Sequence, residues 1–120
     1  MKASELRIGN WIMYRSHYCK VTGLNADQID IDEIFESLMD DNFQPIPLTE
    51  EWLLKFGFKY TDNDVWRDQW INDRLHLYNS PIKKGWTIEN IEPNFEIHYV
   101  HQLQNLYFAL TGQELEINPN

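Results

Sequence analysis

Four histidines, His17, His76, His98 and His101, and a single cysteine, Cys19, are the side chains best suited to metal or nucleophilic chemistry in this chain. Glu96, His98 and His101 lie close together, and with His76 they would supply a nitrogen and oxygen donor set for zinc or another divalent metal. The spacing argues against such a site. His98 falls on a strand and His101 on a helix by local pattern, and no HExxH is present. Cys19 has His17 two residues before it, on the same face of a strand, but Cys19 reads as a core position, where a thiol is inert. None of Ser4, Ser16, Ser37 and Ser80 sits in a GxSxG context. The acidic residues from Asp27 to Asp41 lack both the DxDxDG order and the closing glutamate of a calcium loop, and Asp62-Asn63-Asp64 lacks the glycine. The scattered glycines form no phosphate-binding loop. No catalytic residue, metal ligand or cofactor site is therefore assigned.

A second set of residues suits recognition. His101, Gln104, Asn105 and Phe108 stand at i, i+3, i+4 and i+7, so on a helix they share one face. An imidazole, two amides and an aromatic ring make a patch able to donate and accept hydrogen bonds to a partner. The competing reading is that the stripe packs on the rest of the chain, with the amides satisfying backbone groups, as buried polar atoms require. Trp66 and Trp70 are further candidates for an exposed contact surface.

These residues must be positioned by one small domain. The chain has 120 residues, 42% hydrophobic and 14% aromatic, which is enough for a core without disulfides or metal. The net charge of −9 disfavours binding to a polyanion. Lys83 and Lys84 before Gly85 read as a hairpin turn rather than a basic site. One cysteine excludes an intrachain disulfide and points to a reducing compartment. MKASELRIGN has no apolar signal region, and no apolar run approaches the ~20 residues of a membrane span, so a cytoplasmic protein is expected.

Local patterns predict an α+β fold. Asn10–Tyr14, Tyr18–Leu24 and Gln28–Asp32 read as strands of a meander, with turns at Arg15–His17 and Asn25–Asp27, suggesting an SH3-like small β-barrel or a curled sheet. Ile34, Phe35, Leu38 and Met39 have helical spacing, but strand or loop fits residues 33–43 nearly as well. Gln44–Leu48 must be extended because of its prolines. In LTEEWLLKFGF, Thr49 is placed to cap a short helix, Glu50 and Glu51 suit its first turn, and Gly57 suits its end. Strands follow at Phe58–Tyr60 and Val65–Arg67, flanking a turn at Thr61–Asp64, then at Arg74–Tyr78, Trp86–Ile91 and Phe95–Tyr99. A closing helix from Val100 to Thr111 would lay Val100, Leu103, Leu106, Tyr107 and Leu110 on this second sheet. A single domain of residues 1–120 is expected, with a meander (1–43) and an α+β part (44–120) sharing one core.

LRIGNWI, PLTEEWLLKFGF and YVHQLQNLYFALTG together resemble a family of small proteins of unassigned activity from gut bacteria of the Bacteroides group and their phages and prophages. The resemblance implies a soluble intracellular protein and a mobile element as one source; it transfers no site residue. The leading functional expectation is a non-enzymatic protein-interaction or regulatory protein with a protein partner, acting through His101, Gln104, Asn105 and Phe108 with Trp66 or Trp70. The alternatives are a small-ligand or nucleotide-binding module, enzymatic or not, and an acidic mimic of nucleic acid built on Asp27 to Asp41.

Overall fold

The computed structural model describes residues 5–24, 28–31, 34–38, 43–63, 67–72, 75–79, 85–88 and 96–117. The architecture is α+β, with a curled antiparallel half-barrel sheet, a second antiparallel sheet and a C-terminal helix. The chain divides into two compact units, Met1–Pro47 with Tyr99–Leu106, and Leu48–His98 with Tyr107–Asn120.

The first unit contains β1 (Trp11–Tyr14), β2 (His17–Leu24), β3 (Gln28–Ile31), β4 (Ile34–Leu38) and β5 (Phe43–Gln44) in the order β4-β3-β2-β1-β5. Alternation at period two sorts the side chains. Ile12 opposite Cys19 faces inward, whereas Trp11 opposite Lys20 and Met13 opposite Tyr18 face outward. Leu6, Ile12, Cys19, Val21, Ile29, Ile31 and Phe43 form the core, and each large aliphatic side chain buried there stabilises the unit by about 1.5–3 kcal/mol. Irregular register between Val21 and Gly23 and again between Ile29 and Ile31 bends the sheet. Gly23 sits where a Cβ would come within 2.5 Å of the Asp30 carboxylate, so this bend admits no larger residue without a shift. Residues 34–38 are strand rather than helix, because hairpin pairing with β3 outweighs a helical spacing only a turn long.

The second unit begins with α1 (Glu50–Lys55). Thr49 is extended, and its Oγ1 accepts a long hydrogen bond from Trp52 N at 3.4 Å. At the other end Gly57 has φ +84°, and Gly57 N and Phe58 N donate to the carbonyls of Leu54 and Leu53 at 3.0 and 2.9 Å. A four-stranded sheet follows, β6 (Lys59–Asn63), β7 (Arg67–Asn72), β8 (Leu75–Asn79) and β9 (Trp86–Ile88), in sequential antiparallel order. Its buried face carries Trp70, Leu75, Leu77 and Trp86. The turn expected at Thr61–Asp64 lies mostly inside β6, since the ladder with β7 extends through Asn63 and Arg67. Instead of a strand at Phe95–Tyr99, the described residues make single bridges, Ile97 to Trp86 and Tyr99 to Pro47.

Helix α2 spans Val100–Thr111, with residues up to Leu106 in the first unit and the remainder in the second. Val100, Leu103 and Tyr107 are buried, but Leu110, expected in the core stripe, is half exposed. Its turn, with Phe108, Ala109 and Leu110 all exposed, carries only Tyr107 inward.

Candidate functional site

The amides of α2 are occupied within the first unit. A β-turn at Arg7–Asn10, closed by Asn10 N donating to the Arg7 carbonyl at 3.1 Å, is made by Gly9 with φ +101°. This turn exposes the Gly9 carbonyl and the Trp11 N–H to the helix. Gln104 answers both: its Oε1 accepts from Trp11 N at 2.8 Å and its Nε2 donates to the Gly9 carbonyl at 3.0 Å. Asn105 Oδ1 accepts from Arg7 Nη1 at 2.8 Å and from Asn10 Nδ2 at 2.9 Å, while its Nδ2 donates to the Glu5 carbonyl at 3.0 Å. Asn10 is wholly buried, and its Oδ1 accepts from Arg7 N at 2.6 Å. Gln102 serves the helix itself, since its Oε1 accepts from Tyr99 N at 3.1 Å, the reciprocal half of a capping box.

His101 is 2% exposed and stacks on Tyr99 with the rings 7° from parallel. Its Nε2 lies 3.9 Å from a Glu5 carboxylate oxygen, too far for a hydrogen bond, and its Nδ1 has no partner among the described residues. Burial lowers its pKa from the ordinary 6.5, against a smaller upward pull from Glu5. The imidazole is thus held uncharged at neutral pH.

The expected recognition stripe is accordingly corrected. His101 and Gln104 are buried, and Asn105 is half-buried and hydrogen-bonded within the chain; only Phe108 is exposed, at 40%. The physical reason is the turn at Gly9, whose backbone groups need partners that only side-chain amides at these helix positions supply. Trp70 is also buried, on the inner face of the second sheet beside Tyr60 (rings 5.2 Å apart), and is not a surface residue. Trp66 lies outside the described residues. Among the described residues no group of three or more His, Cys, Asp or Glu side chains is arranged to hold a metal, and His98 Nε2 meets Glu96 at 3.1 Å. Cys19 is free and buried.

On the second sheet, the face opposite Trp70 carries a network that local pattern did not single out. Gln69 Nε2 reaches His76 Nδ1 at 2.8 Å and donates to the Tyr78 hydroxyl at 3.0 Å. These three strand positions lie side by side because β7 and β8 pair Gln69 with Tyr78 and Ile71 with His76.

Among the described residues, the outer face of β1 and β2 carries a mixed aromatic and basic set. Tyr18 is 53% exposed, Lys20 is exposed, and Trp11 and Met13 opposite them are half-buried. The connecting residues Arg15 and Ser16 both have positive φ, +48° and +70°, and the Arg15 guanidinium lies 5.2 Å from the centre of the Tyr14 ring. No helix among the described residues is long and apolar enough to cross a membrane. Comparison of the chain with protein-family models, with curated proteins and with solved structures gives no match.

Proposed function

We propose that this chain is a non-enzymatic interaction protein that binds another protein through the outer face of the β1–β2 hairpin. The observation that carries this reading is the exposure of Tyr18 beside Lys20, Trp11 and Met13, on a sheet whose other face is core. Aromatic residues and methionine are the side chains enriched where proteins meet. The polar residues of the expected recognition stripe, His101, Gln104 and Asn105, serve the chain's own packing. An SH3-like small barrel belongs to the same proposal. It is supported by the order β4-β3-β2-β1-β5, in which the last strand returns beside the first, and by the irregular register in β2 and β3. A phage or prophage origin and an intracellular setting rest on the sequence resemblance alone.

Affinity capture from a bacterial lysate tests the reading, with the original chain, Tyr18→Ala and Lys20→Glu compared. Both substitutions are on the surface and should alter stability by less than about 0.5 kcal/mol. A protein retained by the original chain and lost from both variants is expected. Equal recovery by all three, or a co-purified small molecule in place of a protein, would overturn the assignment.

A further inference from the structure

His101 is a buried titratable side chain that the proposed function leaves unused. It is almost wholly enclosed, its Nδ1 has no partner among the described residues, and its Nε2 stops 3.9 Å from a Glu5 carboxylate oxygen. A neutral imidazole carries one N–H donor; a protonated one carries two and must place both. Here the Glu5 carboxylate is too far for a hydrogen bond to Nε2, and Nδ1 meets no acceptor among the described residues. The surroundings therefore fit the neutral ring and leave a charged one with unpaired donors.

Glu5 belongs to a short segment, Glu5–Ile8, that α2 holds from outside the strands. The Glu5 carbonyl accepts from Asn105 Nδ2, and Arg7 Nη1 donates to Asn105 Oδ1. The residue one turn along from His101 thus carries the attachment, while the Glu5 carboxylate lies beside the ring itself. Leu6 is the one buried side chain of the four; Glu5 and Ile8 are exposed. The segment ends at Gly9, where φ is +101° and the N–H donates to the Val21 carbonyl at 2.8 Å, so the chain beyond is tied to β2. A stretch with one buried apolar contact, bounded by a glycine and a strand ladder, is where local opening costs least.

We infer that Glu5–Ile8 is an acid-released strap: a proton taken from solvent by His101 frees the segment from α2, hinged at Gly9, while the strands stay paired. The charges around the ring agree with that direction. Burial holds the pKa of the closed state below the ordinary 6.5, Glu5 pulls it up by less, and the amino terminus pushes it down. The Arg7 guanidinium is turned to Asn105, and α2 carries no other charged side chain. On β1–β3, His17 is exposed at the hairpin end, and Lys20 and Asp30 alternate with the core residues Cys19, Val21, Ile29 and Ile31, so none of them faces the ring. In the open state the ring meets water and regains its ordinary pKa. Acid therefore favours opening, from 6.5 down to the closed-state value. The strap does not depend on the reading of the chain as an interaction protein, and either can fail alone.

Amide exchange of the full chain, read by NMR from pH 7.5 to about 5 and corrected for the intrinsic rate, tests it. Protection of the Arg7 N–H, which donates to Asn10 Oδ1, should fall by up to about tenfold per pH unit below 6.5. That of the Val21 N–H, which donates to the Asn10 carbonyl, should stay level. In His101→Phe both should stay level. Glu5→Gln, which removes the upward pull on the ring, should let the Arg7 decline run further into acid. Direct titration of the His101 ring nitrogens in the original chain should place the gain of charge below 6.5, where the Arg7 decline levels off, and this measurement decides the matter if His101→Phe does not fold. Arg7 protection that is constant with pH, that falls together with Val21, or that falls equally in His101→Phe would overturn the strap. So would a ring that gains its charge at or above 6.5.

Discussion

Two amide networks, one in each unit, show different uses of the same functional group. In the first unit, Gln104 and Asn105 bond to main-chain atoms of residues 5–11 as well as to side chains. In the second, Gln69 bonds through its amide to two side chains, His76 and Tyr78. An amide that completes a backbone turn cannot be removed without orphaning groups fixed by the fold. An amide that joins side chains leaves behind groups that can rotate toward water. The first network should be costly to disturb and the second tolerant.

The largest effect should come from Gln104→Leu. Volume is nearly conserved, but Trp11 N–H and the Gly9 carbonyl lose their partner, and urea unfolding should show a loss of about 2–4 kcal/mol. Asn105→Ala should cost about 1–3 kcal/mol, because Arg7 and the exposed Glu5 carbonyl can turn to solvent while the buried Asn10 Nδ2 loses its acceptor. Gln69→Leu should cost about 1 kcal/mol or less by the same measurement. A value for Gln69→Leu equal to that for Gln104→Leu would erase the distinction between the networks.

The last effect is a slope. The pKa of His101 is lowered in the folded chain, so its contribution is fully present above the unfolded value of 6.5 and is lost as pH falls from there toward the folded value. Stability from urea unfolding at pH 7.5 and at steps below 6.5 should decline on the acid side. His101→Phe should remove that part of the decline, and an unchanged profile in this variant would show that the imidazole is not the group responsible.

Much of the fold was legible from alternation and turn chemistry. Leu75 and Leu77 face inward with His76 outward, and Cys19 and Val21 enter the core, all as their period-two spacing requires. Residues 33–43 are ambiguous in sequence because Ile34, Phe35 and Leu38 satisfy a helical spacing as well as a strand, and for residues 34–38 pairing with β3 decides. The candidate site was half legible. The helical wheel placed His101, Gln104, Asn105 and Phe108 on one face, but a wheel does not say what the face touches. The missing partners were Arg7 and Asn10, far away in sequence, and their signal was the Gly-Asn pair that closes a tight turn just before a strand. Leu110 was misplaced because a regular apolar stripe gives no indication of where cover by the rest of the chain ends.

The bonds between Gln104 and the Gly9–Trp11 segment join residues 93 to 95 positions apart. On a ribosome adding about 5–20 residues per second, Trp11 is made roughly 5–20 s before the amide that satisfies it. Throughout that interval the five strands of the first unit exist without the helix that finishes them, while the whole sheet of the second is synthesised. The first unit is thus left incomplete until Tyr99–Leu106 is made, after the sheet of the second, and its emerging strands must stay soluble until Gln104 has been added.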